Sequence, residues 1–206
     1  MITIIDYGLG NLASVANALE KLGVSFEITS DANEIKNASA LILPGVGAAG
    51  QGMTNLKNRN LDKIIVDEVK NGKPILGICL GMQLLFSRSE EDSVDCLNLV
   101  EGTVKKLKGD LKVPEMGWNQ VEKKSDSRLL KGIKDNSYFY FVNSYFCEPK
   151  SSDVIKGITK YGDDFCSILE NKNIFGVQFH PEKSGDDGLQ LLKNFIDIPY
   201  ANNTGN

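Results

Sequence analysis

The stretch Pro74-Ile75-Leu76-Gly77-Ile78-Cys79-Leu80-Gly81-Met82-Gln83 constrains the fold more than any other part of the chain. The apolar residues between Pro74 and Gly77 read as a short buried strand, and Leu80 to Phe86 as the start of a helix. Cys79 falls on the turn between them, flanked by Gly77 and Gly81 in the spacing G-x-C-x-G. This is the thiol counterpart of the G-x-S-x-G nucleophile elbow. So sharp a turn crowds backbone against backbone, and residues without a Cβ relieve the crowding. It also leaves the sulfur exposed above the sheet, in front of unpaired N–H groups at a helix start, where thiolate is favoured over thiol. Taken alone, the pattern fits a buried structural cysteine better than a catalytic one.

A second stretch, Ile174-Phe175-Gly176-Val177-Gln178-Phe179-His180-Pro181-Glu182, changes that balance. His180 is the only histidine in 206 residues and follows an apolar, strand-forming run. A thiol at an elbow, an imidazole at another strand end and a carboxylate two residues on make a Cys79–His180–Glu182 set. The thiolate attacks, the imidazole moves the proton, and the carboxylate orients the ring and stabilises its charged form. Pro181 fixes φ between the last two and limits how far their side chains can splay.

The remaining sequence supplies the frame. Ile2 to Ile5 reads as a central strand, followed by the glycine-bearing turn Asp6 to Gly10. A helix comes next, capped by Asn11, with Leu12, Val15, Leu19 and Leu22 on one face and Gly23 as its stop. Phe26 to Thr29 and Ala40 to Leu43 read as strands, and Leu61 to Lys70 as a helix ended by Asn71-Gly72. This alternation predicts one α/β domain over residues 1–200, with a mostly parallel or mixed sheet and helices on both faces. Ligands of such sheets sit at the carboxyl ends of strands, where Tyr7, Pro44 to Gly47, Cys79 and His180 all fall. Gly8 and Gly10 do not open a dinucleotide loop, because Ala13 holds the last position of G-x-G-x-x-G. Residues 87–112 read as a polar surface loop and then a short strand near Gly102 to Leu107, with Glu90, Glu91 and Asp92 as a solvated acidic knot. Tyr138 to Val142 and Phe165 to Leu169 read as antiparallel strands, Gly188 to Ile196 as a closing helix, and 201–206 as a frayed tail.

Composition narrows the function class. A net charge of −4 with scattered basic residues argues against a nucleic-acid surface. No apolar run reaches the roughly 18 residues of a membrane span, and the chain opens on a strand without a basic leader. Four cysteines without C-x-x-C spacing and a single histidine leave no zinc set. That cysteine usage fits a reducing cytoplasm.

Gly77-Ile-Cys-Leu-Gly-Met-Gln83 and Gln178-Phe-His-Pro-Glu182 resemble the two signatures of class I, triad-type glutamine amidotransferases, a flavodoxin-like α/β family. The likeness runs the length of the chain through Asp6-Tyr7-Gly8-Leu9-Gly10-Asn11, Leu43-Pro44-Gly45-Val46-Gly47, Pro114-Glu115-Met116-Gly117-Trp118-Asn119 and Tyr140-Phe141-Val142-Asn143-Ser144-Tyr145. It is greatest to glutaminase subunits that serve a (β/α)₈-barrel cyclase in histidine biosynthesis. The resemblance implies hydrolysis of L-glutamine at Cys79, His180 and Glu182, with neither metal nor cofactor. The elbow itself offers the Leu80 N–H to an oxyanion. The resemblance implies that Val46 supplies the other donor after a peptide flip, which Gly45 and Gly47 permit. It implies that Gly45, Gly47, Gln83, Ser144 and Tyr145 surround the substrate, and that Asn11, Met116 and Trp118 lie at the gate to a heterodimeric cyclase partner. Glu115 and Asn143 depart from the family pattern, which usually has His or Gln at the first and His at the second. Three alternatives stay open: a paralogous glutaminase serving another synthase such as a surface-sugar amidotransferase, a thiol peptidase on the same fold, and a degenerate regulatory subunit.

Overall fold

The computed structural model describes residues 1–108 and 112–201. The first half alternates strand and helix, with two helices between β3 and β4: β1 (Ile2–Ile5), α1 (Leu12–Lys21), β2 (Phe26–Thr29), α2 (Ala32–Asn37), β3 (Ala40–Gly45), α3 (Ala49–Asn58), α4 (Leu61–Lys70), β4 (Ile75–Cys79) and α5 (Leu80–Leu84). The second half is rich in strands: β5 (Phe86–Ser89), β6 (Val94–Asp95), β7 (Val100–Lys106), β8 (Glu115–Lys123), β9 (Ser137–Asn143), β10 (Tyr145–Pro149), β11 (Ile155–Tyr161), β12 (Asp163–Asn171) and β13 (Ile174–Val177). Helix α6 (Gly185–Ala201) closes the described chain.

The strands run in the order β2-β1-β3-β4-β13-β12-β10-β7-β5-β6. From β2 to β13 every neighbouring pair is parallel. At β12 the sheet turns antiparallel, and β11, β8 and β9 branch from it as a second layer of strands. Because side chains alternate across a strand, each central strand feeds two cores. Ala40 and Ile42 join Val15 and Leu19 of α1 and Leu192 and Phe195 of α6 on one face. Leu41 and Leu43 join Ile35, Met53, Leu56 and Ile65 from α2, α3 and α4 on the other. The sheet is therefore covered on both faces, as the sequence pattern predicts.

Local chemistry sets the elements. Asn11 caps α1 by accepting the Ser14 N–H at 3.4 Å, and Gly23 follows its end at φ 68°. Helix α4 buries Leu61, Ile65 and Val69 at the four-residue spacing of one helical face. The predicted antiparallel strands are β9 and β12, and the predicted closing helix is the inner part of α6.

Two expectations are corrected. The helix begun at Leu80 ends at Leu84 and does not reach Phe86. Its last carbonyls are taken by a later segment: Leu97 donates to Leu84 O at 2.9 Å and Val100 to Leu85 O at 3.0 Å. Phe86 therefore starts a strand that pairs with β7. Residues 87–112 are consequently not a plain loop, since β5, β6 and β7 lie within them; only 109–111 fall outside the described residues. Of the tail read as frayed, Ala201 is the last residue of α6, and 202–206 lie outside the described residues.

Candidate active site

Strands β4 and β13 are parallel neighbours, with Ile78 opposite Val177. Their carboxyl ends consequently deliver Cys79 and His180 to the same edge of the sheet. Cys79 joins β4 to α5 at φ 54° and ψ −112°, a conformation that costs a residue with a Cβ free energy and recurs at nucleophile elbows. The flanking glycines are fixed by contact. A Cβ on Gly77 would lie 2.7 Å from Met82 N, and one on Gly81 would overlap the Leu43 carbonyl.

His180 is held from three sides. Its N–H donates to Tyr140 O at 2.9 Å, its carbonyl accepts from Ser184 Oγ at 2.6 Å, and its Nδ1 meets Glu182 Oε1 at 2.9 Å. That last bond leaves Nε2 free to face the cavity that Cys79 and His180 both border. Burial works against a charged imidazole here, yet hydrogen bonds and charge from Cys79 and Glu182 outweigh it and hold the group up to about 10. The three groups separated in sequence thus meet along one line of the sheet edge, Cys79 after β4 and the His180–Glu182 pair after β13. The sulfur also takes the Gln178 Nε2 donor at 3.7 Å and stands 3.8 Å from Val142 O.

A cavity of about 320 Å³ opens over this line. Val46, Gly47, Leu80, Gln83, Ser144 and Tyr145 all border it, together with Cys79 and His180. Gln83 is anchored by donating to Tyr145 O at 3.1 Å and to Gln178 Oε1 at 3.3 Å. Four residues stand elsewhere. Gly45 packs behind the wall, against Leu80 and the Tyr7 hydroxyl. Asn11 caps α1. Met116 and Trp118 project outward from β8 and are 65% and 55% exposed.

Sequence reasoning missed several contributors. Glu91 borders the cavity and receives the Ala49 N–H at 2.9 Å, while Asp92 receives the Gly50 N–H at 3.1 Å. The acidic knot is thus not merely solvated; it caps a helix and supplies a carboxylate to the pocket. The signal available was the position of Glu91 shortly after the elbow helix, but the intervening strand hid the geometry. Lys183, directly after Glu182, also borders the cavity. Gln178 and Ser184 flank His180 in sequence and hold the triad groups in place. Glu115 and Asn143 are buried and face each other across β8 and β9, and Asn143 also borders the cavity. Among the described residues no cluster suited to a metal ion occurs.

An elbow thiol and an imidazole paired with a carboxylate meet at one cavity, at the carboxyl edge of a doubly wound sheet, and these are the residue types that thiol hydrolysis uses. The chain belongs to the class-I glutamine amidotransferase family, whose model matches residues 3–198. It is 49% identical over 206 residues to the imidazole glycerol phosphate synthase subunit HisH of Moorella thermoacetica, covering 99% of this chain and 98% of that one. It is 48% identical over 199 residues to the subunit of the same name from Dehalococcoides mccartyi, covering 96% and 97%. Among solved structures, PurLQS from Thermotoga maritima contains a chain that superposes with a TM-score of 0.73 at 17% identity, over 96% of this chain and 97% of that one. That last likeness concerns the fold.

Proposed function

We propose that this chain is the glutaminase subunit of an imidazole glycerol phosphate synthase. It hydrolyses L-glutamine to glutamate and ammonia at Cys79, His180 and Glu182, and hands the ammonia to a (β/α)₈-barrel cyclase partner. That partner uses it to make imidazole glycerol phosphate and a carboxamide ribotide in histidine biosynthesis. The observation that carries the reading is the Glu182-paired His180 and the elbow Cys79 bordering one cavity. Near-full-length identity to subunits named for that synthase supports the pathway.

The chemistry follows from the placement. The Cys79 thiolate attacks the side-chain amide carbon, and the resulting O⁻ needs preorganised N–H donors. Leu80 and Val46 border the cavity beside the sulfur and are the donors in this reading. The His180 imidazolium gives its proton to the leaving ammonia, and a thioester remains on Cys79. His180 then takes a proton from water, which attacks the thioester and releases glutamate. Glu182 keeps the ring in register throughout. Glutamine brings an α-ammonium and an α-carboxylate as well as its amide. Glu91 and Lys183 are the charged groups besides His180 on the cavity wall, and they suit these two ends.

Ammonia released into water would be protonated and diluted, so the product calls for a partner docked over the pocket. Exposed Met116, Trp118 and Tyr138 on β8 and β9 offer the apolar face for the cyclase. A reducing cytoplasm suits the four cysteines, all of them free, and no described helix is long and apolar enough to cross a membrane.

The test is glutamate release by the purified chain with and without the cyclase and its ribonucleotide substrate. Turnover should rise when the cyclase and its ligand are present, and Cys79→Ala should abolish it. Glutamate release that persists in Cys79→Ala would overturn the assignment. Equal turnover with and without the cyclase would remove the partner from it.

A further inference from the structure

Helix α3 starts without a cap of its own. Ala48 precedes it and offers no side-chain acceptor, although the first N–H groups of a helix need partners. Those partners come from 42 residues down the chain, as Ala49 N–H donates to Glu91 Oε2 at 2.9 Å and Gly50 N–H to Asp92 Oδ2 at 3.1 Å. Negative charge there also complements the helix dipole. The acidic segment is itself anchored. Glu90 N–H donates to Val104 O at 2.9 Å, Lys106 N–H to Glu90 Oε2 at 3.2 Å, and Glu91 N–H to Ser89 Oγ at 3.1 Å. Asp92 holds a left-handed φ of 60°, which Asp tolerates better than most residues. The fit against α3 is tight, since a Cβ on Gly50 would lie 2.7 Å from Asp92 Oδ2 and 2.8 Å from Asp92 Cβ.

Position gives this clamp its meaning. Val46, Gly47 and Ala48 are all that separates the end of β3 from the clamped turn. Val46 and Gly47 border the cavity above Cys79, and Gly47 sits at φ 107°. A short glycine-bearing segment has few internal restraints, so its orientation depends on how its two ends are held. One end is β3, fixed by the sheet. The other is α3, fixed by Glu91 and Asp92. Glu91 faces the cavity as well, so one carboxylate touches both the substrate's space and the helix that carries the segment.

We propose that Asp92 and Glu91 are positioning residues that fix the α3 end of the Val46–Gly47 segment, on which its oxyanion-binding orientation depends, and that Glu91 links the bound substrate ammonium to that segment through Ala49. The inference rests on the glutaminase reading of the site. Asp92 does not border the cavity, which makes it the informative position. Asp92→Gly keeps the left-handed backbone and removes the carboxylate. Gly50→Ala attacks the same contact from the other side: its methyl displaces Asp92, while alanine in place of glycine strengthens a helix.

The experiment measures glutamate release by the full chain, alone and with the cyclase, for wild type, Asp92→Gly, Asp92→Asn and Gly50→Ala. The expected result is a kcat about tenfold lower in Asp92→Gly and Gly50→Ala with KM changed less than about twofold, the size of effect that displacing a transition-state donor produces. Asp92→Asn retains an acceptor oxygen and should recover most of the rate. Inhibition by glutamate γ-semialdehyde, whose thiohemiacetal places an oxygen in the same hole, should weaken by the same factor. Glutamine affinity in a Cys79→Ala background should hold. A Gly50→Ala chain that melts no lower than wild type yet turns over slowly excludes a merely structural role. Unchanged kcat in both Asp92→Gly and Gly50→Ala would overturn the clamp and leave the glutaminase assignment standing. Absence of glutamate release from the wild-type complex would remove both.

Discussion

Glu115 and Asn143 occupy directly opposed positions on β8 and β9, each almost wholly buried, and each carries a buried oxygen without a hydrogen-bond partner among the described residues. Glu115 Oε1 accepts from Asn119 Nδ2 at 2.7 Å, and Asn143 Nδ2 donates to Tyr145 O at 3.2 Å. The two orphan atoms are Glu115 Oε2 and Asn143 Oδ1. As an ionised carboxylate, Glu115 buries a charge; as a neutral acid it has a proton to donate. The two departures from the family pattern thus sit opposite each other in the ladder beside the pocket.

Burial pushes the Glu115 carboxyl above its ordinary value, against a smaller lowering by Asn119. The native state thus prefers the proton that the unfolded chain releases near pH 4.3. Stability from this group is complete below that pH and is lost as pH rises through the folded value. Glu115→Gln removes the ionisation and keeps the shape. The variant should melt at about the wild-type temperature near pH 4 and higher at pH 8, by about 1 kcal/mol or about 2–4 °C. Melting curves across pH check this, and a difference independent of pH would refute it.

His180 titrates up to about 10 in the folded chain: burial lowers it, and Cys79 and Glu182 more than compensate. The imidazolium is the form that protonates the leaving ammonia, so kcat/KM should fall as pH rises through that region. Glu182→Gln deletes one of the raising partners. Its alkaline limb should therefore move to lower pH, and kcat should drop by about a hundredfold or more as the ring loses its orientation. A pH–rate profile of the two proteins separates the effects. An unshifted limb would mean that Glu182 does not set the ring's basicity.

Much of this was legible in the chain, for physical reasons that differ between its halves. The parallel core announces itself because β1, β3 and β4 are continuous apolar runs, buried on both faces. The elbow was legible because crowding at Cys79 admits only glycine at Gly77 and Gly81. The segment after Leu84 was not, because β5 is polar on its open side and its pairing with β7 depends on hydrogen bonds from residues 97 to 100. For the same reason Glu91 looked like a surface acid. Nothing local says that a carboxylate will cap a helix 42 positions earlier. Helix α2 went unread because its short polar sequence is held by Asp31, whose Oδ1 accepts from Asn33 and Glu34, and by the burial of Ile35 alone.

Tyr7 is wholly buried and its hydroxyl has no hydrogen-bond partner among the described residues, while a Cβ on Gly45 would overlap that same oxygen. Burial raises the phenol far above its ordinary range, with the nearby Cys79 adding to it. Tyr7→Phe deletes an unsatisfied polar atom without changing the ring, so it should stabilise the chain by about 1 kcal/mol. Gly45→Ala should destabilise it by about 1–3 kcal/mol through overpacking, since its methyl also falls 2.9 Å from Leu80 Cβ. The double variant should lose less than the sum, because phenylalanine vacates part of the space. Denaturant titrations of the four proteins give the coupling. Strict additivity would show that the hydroxyl and Gly45 do not compete for one volume.

The outward face of β8 and β9 makes the last prediction. Met116 lies opposite Val142, Trp118 opposite Tyr140 and Gln120 opposite Tyr138, so the period of two puts one row of large side chains on one surface. Trp118 meets Tyr140 edge-on at 6.1 Å between ring centroids, and Lys183 Nζ lies 6.0 Å from the Tyr140 centroid, which connects the row to the loop that holds His180 and Glu182. Exposed aromatic and Met side chains contribute little to folding but much to a desolvated interface. Trp118→Ala should therefore leave the melting of the isolated chain within about 0.5 kcal/mol of wild type. It should weaken association with the cyclase by about 2 kcal/mol, roughly thirtyfold in Kd. Met116→Ala should weaken it less, since Met lacks the rigid aromatic area that makes Trp an interface anchor. Calorimetric titration of the cyclase into each variant measures both, and undiminished affinity in Trp118→Ala would move the docking face elsewhere on the molecule.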